Sequence, residues 1–129
     1  MREKILLRKS KENYETGEWA EDRVYLDVSI SRYYYSAYQK IIHISKVKGF
    51  YKKPQKGENA HIVTIDRFGR GIGDKLSTEE KIQVLMMKKL RGLRNRADYS
   101  ETRFDNKNDY NLEFKFHFNN INEILDELI

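Results

Sequence analysis

The stretch Tyr110-Asn111-Leu112-Glu113-Phe114-Lys115-Phe116-His117-Phe118 decides the fold class of this chain. Read in twos, it alternates apolar and polar without a fault, as a strand with one wet face would. Read in fours, Tyr110, Phe114 and Phe118 lie on one side of a helix, and Ile121, Leu125 and Leu128 continue that stripe. A lone strand has no partner elsewhere in the sequence, and unpaired strands are not stable in water. Helix is therefore the reading, and the fold becomes all-α.

The segments before it agree. Ser77-Thr78-Glu79-Glu80 is a capping box, a Ser at the N-cap and a Glu three residues on. It predicts a helix running to about Asp98. Ile82, Leu85, Met86, Leu90, Leu93 and Ala97 form its expected apolar stripe. Met87, Arg91, Arg94 and Asp98 fall on the other side, with Asn95 and Tyr99 beside them. A long stretch from Glu18 to about Val47 has neither Gly nor Pro. It carries two stripes at spacings of three and four: Val24, Val28, Ser31, Tyr35, Tyr38, Ile42, and Ile30, Tyr34, Ala37, Ile41, Ile44. Two stripes predict a central helix covered on two sides. Its polar remainder is Arg32, Ser36, Gln39 and His43.

A first amphipathic stretch covers residues 2 to 15 and is expected to break at Gly17. Lys48 to Gly57 (KGFYKKPQKG) reads as a solvated loop, Glu58 to Phe68 as a short helix holding His61, and GRGIGDK from Gly69 as a connector. The connector lacks the G-K-[ST] ending of a phosphate-binding loop. The sum is a four- to five-helix up-and-down bundle in a single domain, residues 1–129.

Composition narrows the function. The 129 residues carry a net charge of +5, with nine Tyr, six Phe and no Cys. Disulfides, thiolate metal sites and Cys nucleophiles are excluded. No His-x-x-x-His pair, Ser elbow or nucleotide fingerprint occurs, so neither a metal nor another cofactor is expected. No apolar run approaches the roughly 18 residues of a membrane span. The charged start MREKILLRKSKENYE has no long apolar core and predicts no signal peptide. A cytoplasmic protein without a membrane partner is the expectation. The basic charge favours a polyanion such as RNA, because phosphate contacts give sequence-independent affinity.

The candidate chemistry lies in Leu90–Glu101, LRGLRNRADYSE, with Arg91, Arg94 and Arg96 close together. Arg94 and Asp98 are spaced i,i+4, as are Asn95 and Tyr99, so each pair shares a side of the helix. One reading is an ordinary surface ion pair. In the other, Arg94 offers a planar fork to phosphate, Asn95 a neutral donor and acceptor, and Tyr99 a ring or hydroxyl.

Three motifs in order resemble the HEPN superfamily of small prokaryotic helical domains, over residues 18 to 129. They are Ser31-Arg32-Tyr33-Tyr34-Tyr35-Ser36-Ala37-Tyr38-Gln39, the Ala60-His61-Ile62 step, and Arg94-Asn95-Arg96-Ala97-Asp98-Tyr99. The last matches a branch marked by R-x-x-A-D-Y. The resemblance implies a bundle that often forms a homodimer or a HEPN–HEPN pair. It also implies toxin–antitoxin or phage-defence work, and in many members a metal-independent endoribonuclease built on R-N-x-x-x-H. Other members partner a minimal nucleotidyltransferase antitoxin, and there a Tyr near the motif accepts a nucleotide. Carried onto this chain, the catalytic candidates are Arg94, Asn95, Asp98, Tyr99 and His61. Arg32, Arg91 and Arg96 are the further RNA-binding candidates. Tyr99 stands where the motif has His, and a phenol with an ordinary pKa near 10 is a poor acid–base group at neutral pH. Gln39 likewise replaces the His of the early motif.

Overall fold

The computed structural model describes residues 2–129 and contains, among them, helices and turns but no strand. The helices are α1 (Arg2–Asp22), α2 (Leu26–Val47), α3 (Ala60–Ile72), α4 (Thr78–Leu85), α5 (Met87–Tyr99), α6 (Lys107–Tyr110) and α7 (Phe116–Leu128). A π-helical turn, Asn111–Lys115, joins α6 to α7 without a break. The ambiguous stretch is thus helical. In an α-helix, side chains spaced by four drift about 40° per step. The widened turn takes up that surplus, so Tyr110, Phe114 and Phe118 all stay fully buried.

α2 is the central element, and its neighbours are fixed by long-range pairs. Ser10 Oγ donates to the Ser36 carbonyl at 2.7 Å, and Tyr33 Oη donates to Glu21 Oε2 at 2.9 Å, so α1 runs antiparallel to α2. Ser29 meets Tyr110 at 2.7 Å and Lys40 meets Asp126 at 2.7 Å, so α7 runs parallel to it. Ser31 approaches Asp98 while Tyr34 and Tyr35 flank Arg94, so α5 is antiparallel. The result is an all-α bundle, with α3 packed against α2 and α4. Its core joins Ile30, Tyr34, Ala37, Ile41 and Ile44 of α2 to Ile65 and Phe68 of α3, Met87 and Leu90 of α5, and Tyr110, Phe114 and Phe118 of the C-terminal segment.

Several expectations are corrected. Gly17 does not end the first helix. It is buried in α1, where an added Cβ would lie 2.8 Å from Tyr33 Cδ1, so glycine lets α1 and α2 approach. The break falls instead at residues 23–25, where Val24 has φ of 60°. Glu18–Val47 is therefore two helices. Of its two stripes, the one through Ile30 and Tyr34 is the core. The one through Val24 and Val28 leaves both valines exposed. The polar face of α2 is covered by α1, where Asn13 bonds both Gln39 and Arg32.

The short middle helix starts later and runs further than Glu58–Phe68, and Gly69 and Gly71 lie inside it. Asn59 caps it, accepting from the Ile62 amide at 3.1 Å. The Ser77–Glu80 capping box is present in both directions. The helix it opens does not run unbroken to Asp98, because α4 ends at Leu85 and α5 starts at Met87. That offset changes which residues face inward. Ile82 and Leu85 are exposed, whereas Val84, Met87, Leu90 and Arg94 are buried. Arg94, expected on the polar side, belongs to the inward face.

Candidate functional site

Three segments far apart in sequence meet beside Arg94. α2 brings Ser31, Tyr34, Tyr35 and Tyr38, α3 brings His61 from its first turn, and α5 brings Arg91, Arg94 and Asp98. On α2, Tyr34, Tyr35 and Tyr38 lie three and four apart around Ser31, which places them on adjacent sides of one helix. The Asn59 cap fixes where α3 begins and so where His61 stands.

Arg94 is 5% exposed. Its guanidinium carbon lies 5.5 Å from the Tyr34 ring centroid and 5.1 Å from that of Tyr35, a cation between two aromatic rings. Nη1 is 3.5 Å from Asp98 Oδ2, and the same oxygen accepts from Ser31 Oγ at 3.3 Å. The Nε atoms of Arg94 and Arg91 are both buried and meet no acceptor.

His61 completes the arrangement. Its Nδ1 is 2.8 Å from the Tyr34 hydroxyl. Its ring stacks on Tyr38 at 4.2 Å and 13°, and meets Tyr35 edge-on at 6.0 Å. Burial pulls the His61 pKa down to about 4, and the Arg94 and Arg91 charges push the same way. The imidazole is neutral at neutral pH. Tyr34 moves in the opposite direction: burial raises its pKa and Tyr38 adds to the rise, while Arg94 and Arg91 oppose it. The pair is a phenol bonded to a neutral imidazole, held against two guanidinium groups. Neutral His61 has no positive charge to give.

The sequence candidates divide as follows. Arg94, Asp98, Arg91 and His61 converge. Asn95 is partly buried one residue along α5. Tyr99 is 79% exposed at the end of α5, turned out to solvent. Arg96 lies over the Phe104 ring at 4.9 Å, outside the cluster. Arg32, a further RNA-binding candidate, donates to Asn13 Oδ1 at 3.3 Å on the α1 side, and Ser31 is the α2 residue that meets Asp98. Of the histidines, His61 is the one at Arg94. His43 is buried on α2 and His117 lies on α7, where burial and then Lys89 lower its pKa. The sequence placed Tyr34 and Tyr38 on apolar stripes and in the early motif but not among the site residues, yet they line the site. Their spacing from Ser31 puts them on neighbouring sides of α2, but that Ser31 meets Asp98 is visible only in the folded chain.

Glu58 and His61 have a Glu-x-x-His spacing, but Glu58 precedes α3 and engages Arg67 at 3.6 Å and the Gln55 amide at 2.6 Å. Among the described residues no group of three or more His, Asp or Glu could hold a metal ion, and no helix is long and apolar enough to cross a membrane. Comparison with protein-family models, curated proteins and solved structures finds no match.

Proposed function

We propose that this chain is a HEPN-like helical domain directed at RNA, a component of a toxin–antitoxin or phage-defence system, with Arg91 and Arg94 as its phosphate-binding element. The observation that supports this reading is the meeting of Tyr34–Tyr38, His61 and Arg94 in one place. These are the segments that carry the resemblance, and nothing in their local sequence requires them to touch. Two buried guanidinium Nε–H donors without an acceptor, on a chain of net charge +5, favour an anionic ligand.

The geometry favours binding over turnover. In a metal-independent endoribonuclease built here, Arg94 would hold the scissile phosphate and Asn95 would bond it. His61 would take the proton of the attacking 2'-hydroxyl, and Asp98 and Tyr99 would shape the rim. A neutral His61 can accept that proton, yet it cannot act as an imidazolium acid toward the leaving oxygen. Arg32 and Arg96 stand apart and would extend the basic surface. Pairing of two copies belongs to the same proposal.

One observation favours a second reading, a non-catalytic partner of a minimal nucleotidyltransferase. Tyr99 is 79% exposed, and an acceptor of a transferred nucleotide must be accessible.

The experiment is an RNA-binding and cleavage assay in EDTA with wild type, Arg94→Lys and His61→Gln. RNA binding weakened by Arg94→Lys is the expected result. Products ending in 2',3'-cyclic phosphate, lost in His61→Gln, would make the domain a ribonuclease. No RNA binding by folded wild type overturns the first reading. A nucleotide mass added at Tyr99 by a co-expressed nucleotidyltransferase would then establish the second.

A further inference from the structure

The contact between Arg94 and Asp98 is unlike a stabilising ion pair. Charge-assisted N–H···O bonds are commonly about 2.7–2.9 Å. Here the distance is 3.5 Å, and the second bond to the same carboxylate oxygen, from Ser31, is 3.3 Å. Asp98 also sits in the last turn of α5, one residue before its end at Tyr99. The helix dipole is negative there and disfavours a carboxylate. The guanidinium side holds more donors than Arg94's one contact to Asp98 takes up, since Arg91 and Arg94 each keep a buried Nε–H without an acceptor. The Asp98 side chain is 28% exposed while that of Arg94 is 6% exposed, so the carboxylate is the more solvent-accessible member of the pair.

We infer that Asp98 is a displaceable internal anion: it covers Arg94 in the free chain and yields its place to a phosphate of the nucleic acid. This rests on the reading that the Arg91–Arg94 site binds RNA phosphate, and adds how that site is held closed. A carboxylate presents two oxygens to a guanidinium fork much as a phosphate does. Asp98 therefore keeps the buried charge compensated until a better ligand arrives. Weak bonds and an unfavourable helix end make its departure cheap. Binding through such a gate loses affinity, because the ligand must compete with the resident carboxylate, and gains selectivity against weak anions.

The test is fluorescence anisotropy with a labelled single-stranded RNA oligonucleotide, on wild type, Asp98→Asn, Arg94→Gln and the double variant. Asp98→Asn keeps the shape of the side chain and removes its charge. It is expected to bind about three- to tenfold tighter than wild type. In the Arg94→Gln background the same substitution should bring no gain. Should Arg94→Gln fail to fold, Arg91→Gln replaces it, and the gain from Asp98→Asn should shrink there. Unchanged or weaker binding by Asp98→Asn, with wild-type binding that depends on Arg94, overturns the gate and leaves the RNA reading standing. A gain that persists in full without Arg94 also overturns it, since that would report net charge alone. If neither wild type nor Asp98→Asn binds, the RNA reading falls and the gate falls with it.

Discussion

The hydroxyl of Tyr34 and Nδ1 of His61 are 2.8 Å apart, and this bond ties the central helix to the first turn of α3 at the edge of the Arg94 site. It joins a residue with no exposed surface to one that is only partly covered. Removing the hydroxyl in Tyr34→Phe should cost about 1–2 kcal/mol, a lost bond plus an unsatisfied imidazole nitrogen. Urea unfolding measures it. Binding of RNA should weaken as well if His61 must be held still.

The same histidine predicts a pH dependence of stability. The folded chain holds His61 neutral down to about pH 4, whereas an unfolded chain protonates it near 6.5. The unfolded state therefore binds more protons between those values, and stability falls as pH drops through that window. Carboxylates titrate at its lower end. The relevant quantity is the difference between wild type and His61→Gln: the melting temperature of wild type should fall more from pH 7 to pH 5. Equal slopes would mean that His61 titrates normally.

Gly17→Ala should destabilise. Alanine is the better helix former by about 1 kcal/mol, yet its Cβ would meet the buried Tyr33 ring at 2.8 Å. Overpacking of this kind costs roughly 1–3 kcal/mol, so a net loss of about 1 kcal/mol is expected in urea unfolding.

Lys115, on the π-helical turn, donates to Glu21 Oε2 at 2.6 Å and lies 3.3 Å from Tyr33 Oη. Both charged side chains are mostly covered, at 17% and 15% exposed. Lys115→Met leaves Glu21 without its cation and should cost roughly 2–4 kcal/mol. Adding Glu21→Gln should recover part of that loss, which a double-mutant cycle would read directly.

Val24 holds φ of 60° with its side chain half in solvent. A β-branched residue pays for that conformation, so Val24→Gly should raise stability by roughly 0.5–1 kcal/mol. A calorimetric melt that shows a loss instead would mean that the valine makes a contact worth more than its strain.

The all-α class was legible in the stripe from Tyr110 to Leu128, and the start of α4 in Ser77 and Glu80. The α1–α2 turn was not legible. Asp22-Arg23-Val24-Tyr25 contains no Gly or Asn, and the positive φ falls on Val24, while Gly17, the conventional breaker, serves close packing against Tyr33. The stripe drawn from Ile82 to Ala97 holds in α5, where Leu90 is buried and Leu93 and Ala97 pack against the core, but fails in α4, where Ile82 and Leu85 are exposed. The interruption at Met86 separates the two helices, and Met87 and Arg94 turn inward as well. In the site, the i,i+4 relation of Arg94 and Asp98 could be read from spacing alone. Its burial, and its closeness to His61, depend on how α3 crosses α2, which no local pattern encodes.

The turn at Asn111–Lys115 has a consequence for how the length of this chain can vary. The buried C-terminal residues Tyr110, Phe114, Phe118, Ile121 and Leu125 follow steps of four, four, three and four. Deleting the exposed Glu113 would change the steps to three, four, three and four, the rhythm of an uninterrupted α-helix. The wide turn is what one surplus residue looks like when a helix absorbs it without losing its register. A natural or engineered version one residue shorter here would keep the same aromatic spine and lose the bulge, exchanging the position of Lys115 for a straighter rod.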